Sequence, residues 1–276
     1  MYDSVKDKRD SNTPTVSVVM GVYNNSTTLA KAVESIVSQT YTDWELIICD
    51  DASTDDSYQQ ACRLAQLDKR IIVLRNDHNA GCNMVLNRCI EEARGEYIAI
   101  MDSDDIALPT RLEKEVDILR NNPQYTIVGA ALIHFNEKGD FMTLRYKERP
   151  RPTDFTYGIT HAHPCCMIRR KALMEIGLYQ SHRFMHRVED YYLLARLYAC
   201  GYRGYNLQEP LLRYRDDANS FARRTWRNRR NEVYTYYQAF RALRLPIWHY
   251  IKLLRPILVG MLPRPIYSYL HRRPWL

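Results

Sequence analysis

Four times before residue 125 the sequence repeats one pattern, a short apolar run followed by a stretch with apolar residues at helical spacing. The runs are "TVSVVMGVY" (15–23), "WELIICDD" (44–51), "RIIVLRN" (70–76) and "EYIAIMD" (96–102). Val- and Ile-rich runs of this length read as buried strands. "NNSTTLAKAVESIVSQT" then sets Leu29, Ala32, Val33, Ile36 and Val37 at helical spacing behind Asn and Ser capping residues. "STDDSYQQACRLAQL" opens with a Ser53–Asp56 capping box, "GCNMVLNRCIEEARG" closes at Gly95, and Pro109 suits the first turn of "PTRLEKEVDILRNN". Strand–helix units of this kind predict an α/β fold, a Rossmann-like and mostly parallel sheet with helices on both faces. In such sheets ligands bind outside the carboxyl ends of the strands. Three polar clusters fall there: Tyr23–Asn24, Asp50–Asp51 and Asp102–Asp104–Asp105.

The regularity loosens after residue 124. "YTIVGAALIHF", "NEKGD" and "FMTLRY" predict a strand, a turn and a returning strand. "HAHPCCMIRRKAL" reads as a short strand leading into a helix, and "VEDYYLLARLYACG" as an amphipathic helix. No linker separates the halves, so residues 14–220 read as one unit. A flexible N-terminal tail, 1–13, precedes it and a basic segment, 221–276, follows.

Charge divides the chain. The net charge is +7, and Val233–Leu276 holds seven Lys or Arg and no Asp or Glu, whereas residues 1–232 hold 32 basic and 32 acidic side chains. A neutral body argues against nucleic acid as a partner. In "LPIWHYIKLLRPILVGML", Ile247, Tyr250, Ile251, Leu254, Ile257 and Leu258 share one helical face, His249, Lys252 and Arg255 lie opposite, and Pro256 is expected to kink or interrupt the helix. An acid-free amphipathic segment with Trp248 and Tyr250 suits an anionic membrane surface, at about 1 kcal/mol per engaged basic residue. No apolar stretch reaches the roughly 18 residues of a membrane span. The seven cysteines are scattered without a CxxC pair, which reads as reduced thiols in the cytoplasm and not as a zinc site.

The densest chemistry lies in "YIAIMDSDDIALPTRL" (97–112). Three carboxylates at a strand end cost folding energy unless positive charge neutralises them. One of them, Asp105, could cap the next helix; capping needs only one. The Asp-x-Asp spacing sets two side chains on one side of an extended backbone, about 7 Å apart. That suits a hard divalent cation, Mg²⁺ or Mn²⁺, which keeps some waters and takes further oxygens from substrate phosphates. At Asp50–Asp51 a carboxylate can accept a hydrogen bond from the ring N–H of a base. His161 and His163, in "THAHPCC", read first as acceptor contacts and only second as metal ligands.

Taken in order, "VSVVMGVYN", "VESIVSQTYTDWELIICDDASTDDS", "NAGCNMVLNRCIEEARGEYIAIMDSDD", "HPCCMIRR" and "VEDYYLLARL" resemble the family-2 glycosyltransferases, inverting enzymes with the A-type glycosyltransferase fold. The resemblance spans about residues 14–215. It implies a UDP-sugar donor, with galactose, glucose and N-acetylglucosamine all compatible, and Mn²⁺ or Mg²⁺ on the diphosphate. It implies that Val22 and Tyr23 flank the base, that Asp51 reads the uracil, and that Glu34 is the acidic residue of the first helix. Asp102 and Asp104 match the Asp-x-Asp that touches ribose and metal, with Asp105 a further candidate ligand. Asp190 falls at the catalytic base, and Glu189 beside it could exchange roles with it. One departure stands out: where many members have Ala-Arg-Asn, this chain has Val85, Leu86 and Asn87. The phosphate contact is therefore unassigned, with Arg88 and Arg111 as candidates.

Together with the basic tail, the resemblance implies a glycan acceptor linked to a lipid such as undecaprenyl diphosphate, in O-antigen, capsule or exopolysaccharide assembly. It places the protein at the inner face of the cell membrane. A sugar-1-phosphate nucleotidyltransferase is the alternative, but it would want a Gly-rich, Arg-bearing loop where this chain has "GVYNNSTT". A non-catalytic nucleotide-binding relative is the other, and the intact carboxylates disfavour it.

Overall fold

The structure is a computed structural model that describes residues 13–216 and 225–261. Nearly all of the expected tail 1–13, the 220/221 boundary and the end of the basic segment lie outside the described residues.

The first half follows its pattern. Strands β1 (Val16–Val22), β2 (Trp44–Asp50), β3 (Ile71–Arg75) and β4 (Tyr97–Asp102) alternate with helices α1 (Leu29–Val37), α2 (Ser57–Leu67) and α3 (Cys82–Glu92). Parallel pairing of β1 with β2 and β4, and of β2 with β3, gives the order β3-β2-β1-β4. Period-2 alternation divides β1 between two cores: Val16, Val18, Met20 and Val22 pack toward α1 and α4 (Arg111–Asn121), and Val19 packs toward α3 and α6 (Glu189–Ala199). Burying each such side chain contributes roughly 1.5–3 kcal/mol. Gly95 serves as more than a helix stop, because a Cβ there would lie 2.6 Å from the Ser17 backbone nitrogen. The Ser53–Asp56 capping box does not form. Asp50 takes the Ser53 N–H (3.0 Å), and the Ser53 hydroxyl accepts instead from the Asn24 N–H (3.0 Å), which ties this turn to the end of β1.

Beyond β4 the sheet becomes mixed. β8 (Met167–Arg169) runs antiparallel to β4 and to β6 (Ile127–Asn136), and β6 makes the expected hairpin with β7 (Gly139–Leu144). The short β5 (Ile106–Ala107) pairs with a long strand, β9 (Gly204–Arg215), which runs parallel to β6. Neither β5 nor β9 is evident from the sequence pattern. β9 contains Pro210, which cannot donate to a ladder, and its register with β6 shifts at Ala131 opposite that residue. Helix α5 (Arg170–Glu175) follows β8, and α7 (Trp226–Ala242) packs on α6. The amphipathic C-terminal segment breaks into a 3₁₀ turn, Ile247–Leu253, and α8 (Leu254–Met261). The break precedes Pro256, which sits in the first turn of α8, where a missing N–H costs nothing.

Candidate active site

The carboxyl ends of β1, β2 and β4 meet in one cleft, and two acidic corners form its floor. In the first, Asp50 and Asp51 are nearly fully buried. Asp51 Oδ1 accepts from the Asn76 amide (2.7 Å) and the Ala80 N–H (2.8 Å), and Oδ2 accepts from the Gly81 N–H (2.8 Å). Its carboxylate therefore gathers the loop between β3 and α3 against β2, with one acceptor direction remaining on Oδ2. Asp50 receives the Ser53 N–H and lies 3.4 Å from the Arg75 guanidinium.

The second corner follows β4. Asp102 and Asp104 are half-buried, and burial together with the charges of Asp104 and Asp190 pushes the Asp102 carboxyl up to about 7. Asp105 is fully buried; its Oδ1 accepts from the Arg215 N–H (2.8 Å), and burial and Asp102 push its carboxyl well up. Asp105 is thus tied to β9 through Oδ1, while its Oδ2 is buried with no hydrogen-bond partner among the described residues. The counter-charge comes from behind. Arg111 is completely buried, pairs with Glu115 (3.1 Å), donates to the Ile100 carbonyl (2.8 Å), and favours ionised Asp102 and Asp105. Burial raises Glu115 to about 7 even beside Arg111. In front, the Arg215 guanidinium donates to the Asp104 carbonyl (3.2 Å).

Among the described residues no group of three or more His, Cys, Asp or Glu side chains is set to hold a metal. The residues present fit a cation held in a different way, by Asp102 and Asp104 with its other oxygens supplied by a substrate phosphate. Two like-charged carboxylates held together, one of them strained toward its neutral form, are what such a cation relieves.

Helix α6 brings Asp190, 88 residues after Asp102 in the chain, within electrostatic reach of it. Glu189 and Asp190 open the helix, half-buried, and Asp190 accepts from the Tyr191 N–H (2.7 Å). Between the corners, at the start of α3, stands Cys82. Although the residue is exposed, desolvation of its thiol and the charges of Asp102, Glu189, Asp190 and Asp51 push it up to about 12, which puts the four carboxylates within electrostatic reach of it. No sequence signal marked this residue.

The other expected site residues are placed as follows. Val22 is core, 2% exposed, and meets the site only through its carbonyl, which accepts the Asp51 N–H (2.8 Å). Tyr23 is 48% exposed at the mouth of the cleft. Glu34 is exposed on α1, and among the described residues no hydrogen bond links its carboxylate to the acidic corners. His161 is not an acceptor contact, because both ring nitrogens are used inside the core. Nδ1 donates to Asn206 (2.6 Å) and Nε2 accepts from the Tyr198 hydroxyl (2.9 Å), while burial lowers its pKa to about 4. His163 is closer to the chemistry: it bonds the Tyr179 hydroxyl (2.6 Å) and feels the charge of Asp190. Arg88 donates to the Arg75 carbonyl (2.6 Å) and to Asn76 (2.7 Å), and Arg111 is sealed in the core, so neither holds a phosphate here.

A parallel β3-β2-β1-β4 core with an acidic corner beyond β4 and a mixed extension is the A-type glycosyltransferase fold. TarS of S. aureus in complex with UDP-GlcNAc superposes with a TM-score of 0.66 at 16% identity, over 94% of this chain and 72% of that one. The mannosyltransferase PcManGT from Pyrobaculum calidifontis in complex with GDP-Man and Mn²⁺ gives 0.64 at 17% identity, over 95% and 79%. The profile of Glycosyl transferase family 2 matches residues 17–177, and the chain belongs to that family. It is 38% identical to EpsE of Bacillus subtilis (strain 168), over 94% of either chain. It is also 34% identical to the UDP-Glc:alpha-D-GlcNAc-diphosphoundecaprenol beta-1,3-glucosyltransferase WfgD of Escherichia coli, over 44% of this chain and 47% of that one. The protein is therefore a family-2 glycosyltransferase, which removes the nucleotidyltransferase alternative. No helix among the described residues is long and apolar enough to cross a membrane.

Proposed function

We propose that this glycosyltransferase moves a hexose from a UDP-sugar to a lipid-linked glycan with inversion at the anomeric carbon, working at the cytoplasmic face of a membrane. The observation that carries the reading is the meeting of the Asp-x-Asp corner with Asp190 in one cleft, close enough for both Asp104 and Asp190 to raise the Asp102 carboxyl. Single-displacement inversion needs a base on the face opposite the leaving diphosphate, and α6 supplies a carboxylate from outside the donor half. A Mn²⁺ or Mg²⁺ ion on Asp102 and Asp104 would neutralise charge on the departing diphosphate. The chain's own parts divide as follows. Tyr23 covers the base at the mouth of the cleft, and Asp51, through its remaining acceptor direction on Oδ2, takes the uracil N–H. Asp102 faces the ribose. Asp190 accepts the proton of the attacking hydroxyl, with Glu189 beside it. His163, held by Tyr179, lies on the acceptor side.

For the acceptor, support comes from the diphosphoundecaprenol substrate in WfgD's name and from the exposed apolar face of the C-terminal segment, where Ile247, Trp248, Ile251 and Leu258 are each at least 60% exposed. For UDP as carrier, it comes from the same name and from the TarS complex. The test is UDP release from a panel of UDP-sugars with Mn²⁺. One sugar should turn over, and Asp190→Asn should abolish transfer while calorimetric UDP binding stays nearly unchanged. Full turnover by that variant would remove Asp190 from the role, and no release from any UDP-sugar would refute the donor.

A further inference from the structure

Tyr179 is fixed from three sides. Gly177 and Leu178 both stand in the left-handed region, with φ of 74° and 57°, so the chain leaving α5 turns sharply into Tyr179. A left-handed leucine persists only where its surroundings hold it. Here α5 holds it through the Leu178 N–H on the Leu173 carbonyl (3.0 Å), and α6 through Arg196, which donates to the Leu178 carbonyl (2.7 Å). Asn87 of α3 clamps Tyr179 itself: its amide donates to the Tyr179 carbonyl and its Oδ1 accepts the Tyr179 N–H, each at 2.9 Å. Tyr179 is 3% exposed, and its hydroxyl lies 2.6 Å from Nε2 of His163.

His163 opens a 3₁₀ turn, His163–Cys165, set beside the carboxyl end of β4, where the Ile100 N–H donates to the Cys166 carbonyl (2.9 Å). The ring is half-buried and within electrostatic reach of Asp190. Burial lowers its pKa and pushes the Tyr179 phenol well up, so a neutral ring meets a protonated phenol. A neutral imidazole carries one N–H, and the partner of one nitrogen decides which of the two holds it. With the proton on Nε2, the ring would donate to the phenol oxygen, and the buried phenol hydrogen would have no acceptor among the described residues. With the phenol donating to Nε2, both groups are satisfied. The ring's proton then stands on Nδ1, which makes no hydrogen bond among the described residues.

We propose that His163, locked by Tyr179, reads the acceptor: its Nδ1–H donates to a sugar hydroxyl beside the one that Asp190 deprotonates. The proposal rests on the transfer reading and adds which side chain chooses the acceptor. The two groups are complementary. An ionised Asp190 can only accept a hydrogen bond, and the ring offers a donor within its reach, so two neighbouring hydroxyls meet one of each. A site that aims a donor at a substrate hydroxyl rejects the analogue lacking it, because the donor is then left unpaired. Tyr179 and Asn87 act through the ring and are positioning residues.

Nitrogen NMR of the full chain, labelled at histidine, tests the lock without any substrate, and His163→Gln assigns the signal. Near neutral pH the ring should be uncharged with its proton on Nδ1, and Tyr179→Phe should let that proton move to Nε2. A proton on Nε2 in the wild type would overturn the proposal. Octyl glycosides of glucose, galactose and N-acetylglucosamine, offered with the UDP-sugar panel and Mn²⁺, test the reading of the acceptor. For the glycoside that turns over, His163→Gln should raise the acceptor KM about tenfold or more and lower kcat by no more than about threefold. His163→Asn, whose side-chain amide can stand where Nδ1 stood, should recover most of that loss. An unchanged KM in His163→Gln, or equal failure of both variants, would overturn the proposal. Thermal melting checks each fold, and Tyr179→Phe, with a KM raised about threefold, replaces His163→Gln should the latter not fold. A ring protonated on Nδ1 in a protein that transfers to no glycoside would support the lock and sink the transfer reading alone.

Discussion

The two acidic corners look alike as sequence and differ in how the fold treats them. At Asp50–Asp51 the loop after β3 and the turn after β2 bring N–H donors to the carboxylates, three of them to Asp51 alone. At Asp102–Asp104–Asp105 burial and the neighbouring carboxylates push the Asp102 carboxyl up to about 7 and the Asp105 carboxyl well up. Acidic residues that the backbone satisfies form a wall. Carboxyls crowded against one another and pushed toward their neutral form make a place where charge can arrive, and the second corner answers that description.

Exchanging the corners' fates by mutation is the direct way to break this contrast. Asp104→Ala should lower turnover at least about 100-fold and abolish the heat of UDP binding that depends on Mn²⁺; retained heat would make the second corner mere architecture. Proton competition separates them next. Because the Asp102 carboxyl is raised to about 7, Mn²⁺ affinity measured by calorimetry should climb with pH, at most about tenfold per unit, and level off above 7. A flat profile from pH 5 to 8 would mean Asp102 is not a ligand. Asp51→Asn should be milder, raising KM for the donor about tenfold with kcat little changed, since it loosens a wall and costs roughly 1–3 kcal/mol of hydrogen bonding. The smallest effect is on stability. Between about pH 4 and 7 the unfolded chain ionises Asp102 while the folded one keeps its proton, so this contribution is lost as pH rises through that window. Without divalent cation, Asp102→Asn should match wild type in Tm near pH 4 and exceed it by a few degrees at pH 8.

The legibility of the chain follows its wiring. β1, β2 and β3 could be read because each pairs with a strand joined to it by a single helix, and β4, although it pairs with β1 across the sheet, continues the same strand–helix period. β5 and β9 pair across more than 100 residues, and a strand broken by Pro210 shows no period to follow. The site divides in the same way. Motif and position nominate Asp102, Asp104 and Asp190, and the fold brings them within electrostatic reach of one another. Burial decides the rest, and burial is a property of the folded whole: it removed Val22 and His161 from the surface, turned Asp105 toward β9, and made Arg111 the counter-charge beneath the corner. The Arg111–Glu115 spacing of four residues was visible as a helix pair, but nothing in it told that both side chains would be sealed inside.

At one end of β9, Gly204 leaves room for the His161 ring; at the other, Arg215 grips Asp105. Twelve residues of strand make a strut of about 40 Å between a fixed pivot and the acidic corner. Lengthening or shortening that strut by one residue would misaim the corner while leaving the rest of the sheet standing, so relatives in this lineage should tolerate length changes in the surface turns far more readily than within it.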